Sequence, residues 1–78
     1  MNNRLYELKK IFAKQLSELM VSKNLNQQQL SDELKIPRQT ISNWLHLKRS
    51  PQMDSLEMIA NYFNVSIDYL FDRDKNNI

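Results

Sequence analysis

Apolar positions recur at helical spacing through most of the chain. Leu5, Leu8, Phe12, Leu16, Leu19 and Met20 lie three or four residues apart, which predicts one long amphipathic helix over 4–23. Asn24, of a type that tolerates the left-handed backbone well, predicts its end. Leu30 and Leu34 give a shorter second stripe. It is preceded by Asn26 as a cap, with Gln29 three residues on, the pattern of a capping box. Pro37 interrupts this stripe and disfavours helix at Ile36, so a third helix is predicted over 37–45. Beyond Pro51, a fourth helix is marked by Met53, Leu56, Ile59, Ala60 and Phe63, with Asp54 near its positive end and Asn64 to stop it. Ser66 caps a short fifth helix in "IDYLF", and 72–78 read as a frayed, solvated tail. No stretch alternates with period two over strand length. The predicted fold class is all-α: one domain over 1–78, five helices, the first of them extended.

The third helix has two clean faces. At about 100° per residue, Arg38, Ser42, Gln39 and Asn43 fall within an arc of roughly 140°, while Thr40, Ile41, Trp44 and Leu45 fill the opposite one. Ile41 and Trp44 are expected in the core. The other arc presents a guanidinium, two amides and a hydroxyl, groups that pair with base edges: arginine with guanine, glutamine or asparagine with adenine. Each good pair is worth about 1–3 kcal/mol of discrimination. A polar outer face is common to surface helices, so this one gains meaning only from its context. That context is a short helix before it, a tight turn between them, and His46, Lys48 and Arg49 directly after it.

Composition narrows the choice further. With 78 residues and no cysteine, neither disulfides nor thiolate metal sites can support the fold, and a single histidine cannot build a metal cage. The same poverty, with no glycine-rich phosphate loop, opposes an enzyme and implies no cofactor or small-molecule ligand. The longest apolar runs are three residues, which leaves no membrane span, and no signal-peptide pattern leads the chain. The expected location is the cytoplasm, in association with the nucleoid. Net charge is +2 but uneven: residues 1–49 carry nine Lys/Arg against four Asp/Glu, and residues 50–78 two against five. A basic front and an acidic back fit a polyanion partner. The outer face of the third helix lacks aromatics that would stack splayed bases, so duplex DNA is favoured over RNA.

The stretch "LNQQQLSDELKIPRQTISNWLHLKRSPQMDSLEMIANYFNVSIDYLF" resembles the helix-turn-helix domain of the phage lambda-repressor and Cro type, the XRE family, over residues 12–71. The resemblance rests on the glutamine opening the second helix, the spacing of Leu30, Leu34, Ile36 and Ile41, the Lys and Pro after the third helix, and the "VSIDYL" ending. It implies five helices with a helix-turn-helix in the second and third. It also implies that Arg38, Gln39, Ser42 and Asn43 read bases, and that Gln27, Gln28, His46, Lys48 and Arg49 contact phosphate, Gln27 also bracing the first residue of the reading helix. Backbone N–H groups opening the second helix would add to the phosphate site. The function so implied is sequence-specific duplex-DNA binding by a bacterial or phage transcriptional regulator, in repressor mode. A homodimer on an inverted repeat is expected, with Leu5 and Tyr6, or Tyr69 and Phe71, as its candidate surface. The alternative is an antitoxin-like module whose main partner is another protein.

Two departures from the family pattern bear on the structure. Where relatives commonly have glycine, this chain has Asn24, Lys35, Leu47 and Asn64. Lys35 and Leu47 must either accept strain of about 1 kcal/mol each or sit in turns of a different kind. Many relatives also pair an arginine late in the first helix with a glutamate ending the third; here Met20 and Leu45 occupy those places. An ion pair replaced as a unit by apolar side chains predicts that the two pack together.

Overall fold

A computed structural model describes residues 3–73. Its five helices are α1 (Asn3–Ser22), α2 (Gln27–Leu34), α3 (Arg38–Leu45), α4 (Met53–Phe63) and α5 (Ile67–Leu70), and no strand occurs among the described residues. The all-α architecture and the extended first helix follow the pattern of apolar spacing. Phe12, Leu16, Leu19 and Met20 of α1, Leu30 and Leu34 of α2, Ile41 and Trp44 of α3, Ile59, Ala60 and Phe63 of α4, and Leu70 of α5 form one core with Ile36. Leu45 is partly buried against the core cluster, of which Met20 is one member. Phe12 meets Trp44 edge-on, with ring centroids 6.0 Å apart, and so fastens α3 to α1.

Three expected core positions lie elsewhere. Leu5 is 49% exposed, Met53 is 83% exposed, and Leu8 is only half-buried. The helical stripe continues at these positions, but the neighbouring helices do not reach far enough to cover it. In the other direction, Gln15 is 7% exposed, and its amide donates to the Tyr69 carbonyl at 2.9 Å, joining α1 to the last helix. Tyr69 and Phe71 pack against the core, with Phe71 6.1 Å from Phe12. Leu5 and Tyr6 remain outside.

Helix ends are settled locally. The capping box forms as predicted: Asn26 Oδ1 accepts from the Gln29 N–H at 2.8 Å, and Gln29 Oε1 accepts from the Asn26 N–H at 2.9 Å. Ser66 Oγ accepts from the Tyr69 N–H. All five helices close through one residue at positive φ: Asn24 (56°), Lys35 (59°), Leu47 (63°), Asn64 (57°) and Asp72 (59°). In each turn the following N–H reaches back to a carbonyl five residues earlier: Leu25 to Met20, Ile36 to Ser31, Lys48 to Asn43, Val65 to Ala60 and Arg73 to Asp68, at 2.8–3.3 Å. Lys35 and Leu47 therefore adopt the left-handed backbone that favours glycine, and the alternative of different turns does not hold. Asp72 and Arg73, at the start of the expected tail, are tied into the last of these turns, and residues 74–78 lie outside the described ones.

Candidate nucleic-acid interface

α2 and α3 are joined by three residues, and each of them has a local reason for its conformation. Lys35 turns the chain at the end of α2, with its N–H donating to the Ser31 carbonyl at 2.8 Å. Ser31 Oγ donates to the Ile36 carbonyl at 2.6 Å, which pins the turn from inside. Pro37 then takes the N-cap of α3 at φ −54°, within the range its ring allows, and offers no side-chain cap. From there Ile41 and Trp44 are drawn into the core at 0% and 3% exposure. Burial of that arc fixes the rotation of α3 about its axis. Arg38 and Gln39 are left exposed and Ser42 and Asn43 half-exposed, on one face, as the helical wheel predicts.

The polar side chains on this face are arranged among themselves. Gln39 Nε2 donates to Asn43 Oδ1 at 3.0 Å, one turn along the helix. The His46 ring turns back in the same way, with Nδ1 2.9 Å from the Ser42 carbonyl and 3.2 Å from Ser42 Oγ. The geometry makes Nδ1 the donor to that carbonyl. Lys48 and Arg49 are exposed just beyond the Leu47 turn, and their backbone N–H groups converge on the Asn43 carbonyl at 2.8 and 3.3 Å. The two cations thus start from the same helix end that carries Asn43.

On α2, Gln27 is half-buried and Gln28 exposed, in the first turn. The Gln28 amide donates to Asp32 Oδ1 at 3.0 Å, along its own helix. Among the described residues no hydrogen bond joins Gln27 to Arg38; the side-chain bonds on the outward face run between Gln39 and Asn43 and between Ser42 and His46. One N–H opening α2, that of Gln29, is already given to Asn26. An anion there would meet at most the preceding N–H groups.

Beside Asn43, a groove of about 490 Å³ runs between α3 and the start of α4, with Lys35, Thr40, Arg49, Ser50 and Gln52 along it. Spacing did not single out Lys35, Thr40, Ser50 or Gln52. Lys35 was legible as a turn residue but not as a cation flanking the face, and Thr40 was assigned wholly to the inner arc although it is half-exposed. α3 carries no acidic residue. Lys14, whose ammonium is raised above its ordinary value by the hydrogen bond to Glu18 and by that carboxylate's charge, lies out on α1 in an exposed pair 3.0 Å apart. The face as built offers fixed hydrogen-bond donors and acceptors flanked by cations, which suits binding rather than bond-making.

Comparison with known proteins agrees with this geometry. A family model described as helix-turn-helix matches residues 16–70. The chain is 42% identical over 59 residues to the HTH-type transcriptional activator BcrR of Enterococcus faecalis, covering 76% of this chain and 29% of that protein. It is 32% identical over 62 residues to the HTH-type transcriptional regulator ImmR of Bacillus subtilis (strain 168), covering 80% of this chain and 49% of that protein. The chain therefore spans half or less of the length of these relatives. No solved structure gives a significant match.

Proposed function

Because the chain belongs to the XRE-type helix-turn-helix family, we propose that it is a sequence-specific, duplex-DNA-binding transcriptional regulator that lays α3 in the major groove. The observation that carries this reading is the split of α3 into a buried arc and an outward arc bearing Arg38, Gln39, Ser42 and Asn43. These four read base edges, Arg38 through a two-pronged contact to guanine. Lys48, Arg49, His46, Gln27 and Gln28 hold the phosphates and set the register. A single unit of this size contacts few base pairs, so the protein acts as a homodimer on an inverted repeat, with half-sites about one helical turn apart. The exposed Leu5 and Tyr6 fit the dimer surface better than Tyr69 and Phe71, which the core engages. Occupancy of such a site represses when it overlaps a promoter. Activation is the second reading, favoured by the name of the 42%-identical relative.

The test is selection of bound duplexes from a random pool at about 150 mM salt. An enriched inverted repeat is expected, and Arg38→Ala is expected to lower discrimination at one guanine position by about 1–3 kcal/mol. Binding that is only salt-sensitive, with no sequence enriched, would sink the regulator reading in favour of a protein partner. A reporter placed behind the selected site then separates repression from activation.

A further inference from the structure

The imidazole of His46 is committed on one side before any DNA arrives. Nδ1 lies 2.9 Å from the Ser42 carbonyl, which also accepts the His46 backbone N–H at 2.9 Å. A carbonyl oxygen can only accept, so Nδ1 carries the ring proton. The Ser42 hydroxyl, 3.2 Å from the same nitrogen, does not alter this. In a neutral imidazole the other nitrogen, Nε2, is then a bare acceptor. The oxygens of a backbone phosphate are acceptors as well, and two acceptors form no hydrogen bond. Resting on the DNA-binding reading above, we infer that His46 holds a phosphate only as imidazolium, so that the protein takes up a proton at each half-site when it binds a duplex. Protonation leaves the Ser42 bond in place and makes Nε2 a charged donor, the form that suits a phosphate oxygen.

Nothing in the free protein supplies that anion. His46 is exposed at the C-cap of α3, a helix without a carboxylate, and among the described residues no carboxylate lies within ion-pair distance of the ring. α1 and α2 pack on the opposite arc of α3, where Phe12 meets Trp44. The charged groups on the outward side are cations: Lys48 and Arg49 just after the helix, and Arg38 at its far end. A phosphate is thus the first anion the ring meets. Because the bound state prefers the charged ring, binding is strongest at the acidic end of the range where imidazoles change charge, about pH 5–8, and weakens as pH rises through it. His46 is the one histidine of the chain, so no second imidazole shares the signal.

The experiment measures the Kd of the whole chain for one duplex taken from the selection, at fixed ionic strength, across about pH 5.5 to 8.5. It compares the wild type with His46→Gln, whose amide donates at every pH. The wild type is expected to bind about tenfold or more weakly at the alkaline end, the worth of one hydrogen bond to a charged group, while His46→Gln stays flat. The salt dependence of wild-type binding should be greater by about one counterion at the acidic end than at the alkaline end. In the free protein at alkaline pH, the NMR shifts of the ring nitrogens should put the proton on Nδ1. A wild-type profile as flat as that of His46→Gln, a pH dependence that survives the substitution, or a proton on Nε2 would each overturn the inference and leave the regulator intact. If the selection enriches no sequence, the regulator reading falls. The same pH series on an arbitrary duplex at low salt then still decides the inference, because phosphate contacts carry no sequence information.

Discussion

The turns that close α2 and α3 have the same backbone as those that close α1, α4 and α5, but not the same kind of residue. Asn24, Asn64 and Asp72 are of the types that best tolerate positive φ after glycine, whereas Lys35 and Leu47 hold φ of 59° and 63° with ordinary side chains. For such residues the left-handed conformation costs about 1–2 kcal/mol. The strain of this glycine-free chain is therefore gathered at the two ends of the helix that carries the candidate reading face. Strained backbone persists where the surroundings over-determine it. Here the surroundings are the burial of Ile36 and Trp44 and the bonds that return to the Ser31 and Asn43 carbonyls. Both side chains have a use in place: Leu47 is half-buried, and Lys35 puts a cation beside the groove.

If packing of the inner arc holds α3 between two strained turns, breaking that arc must have the largest effect. Ile41→Ala is expected to cost about 2–5 kcal/mol in denaturant unfolding, a large share of a small domain's stability. Leu45→Glu places a carboxylate against the cluster that contains Met20. Because Leu45 is only half-buried, the expected loss is smaller, about 1–3 kcal/mol. Gln39→Ala on the opposite arc should stay within about 0.5 kcal/mol of wild type. Equal losses on the two arcs would mean that α3 is not held from its inner side.

How far the sequence could carry the reading depended on whether a feature is local. The Asn26–Gln29 box, the Ser66 cap and the two arcs of α3 were legible because each depends on residues within one turn of one another. Leu5 and Met53 were misplaced because periodicity gives the direction of a stripe, not how far the neighbouring helices extend to cover it. Gln15 carried a signal that was passed over: on a helical wheel it falls at the edge of the arc of Phe12, Leu16 and Leu19, where a polar residue implies a buried partner. That partner, the Tyr69 carbonyl, is 54 positions away and could not be named from spacing. The outward set on α3 was readable as a list of groups. The Gln39–Asn43 bond was not, because i,i+4 spacing permits the bond without requiring it.

Lys48 sharpens the comparison from the binding side, since the Leu47 turn is what places it: its N–H reaches the Asn43 carbonyl only because the chain reverses at positive φ. Lys48→Ala is expected to weaken all duplexes alike and to reduce the salt dependence of binding by about one counterion. A loss that depends on base sequence would instead make Lys48 a reader, and the turn part of the specificity.

A modest expected effect tests the strain itself. Lys35→Gly removes the side-chain clash of the left-handed turn, about 1–2 kcal/mol, while glycine gives back roughly 0.4–1 kcal/mol through the freer unfolded chain. The variant should therefore be more stable by up to about 1.6 kcal/mol, a rise in Tm of several degrees for a domain of this size. Asn64→Gly has less clash to remove and the same unfolded-chain cost, so it should gain nothing. The sign of the difference between the two variants, read in one thermal-unfolding series, decides the matter. If both respond alike, residue type is irrelevant at these turns and the strain is not concentrated around α3. If Lys35→Gly loses stability, the lysine stem contributes more by lying along the groove than its backbone costs, and the turn is held by that side chain rather than in spite of it.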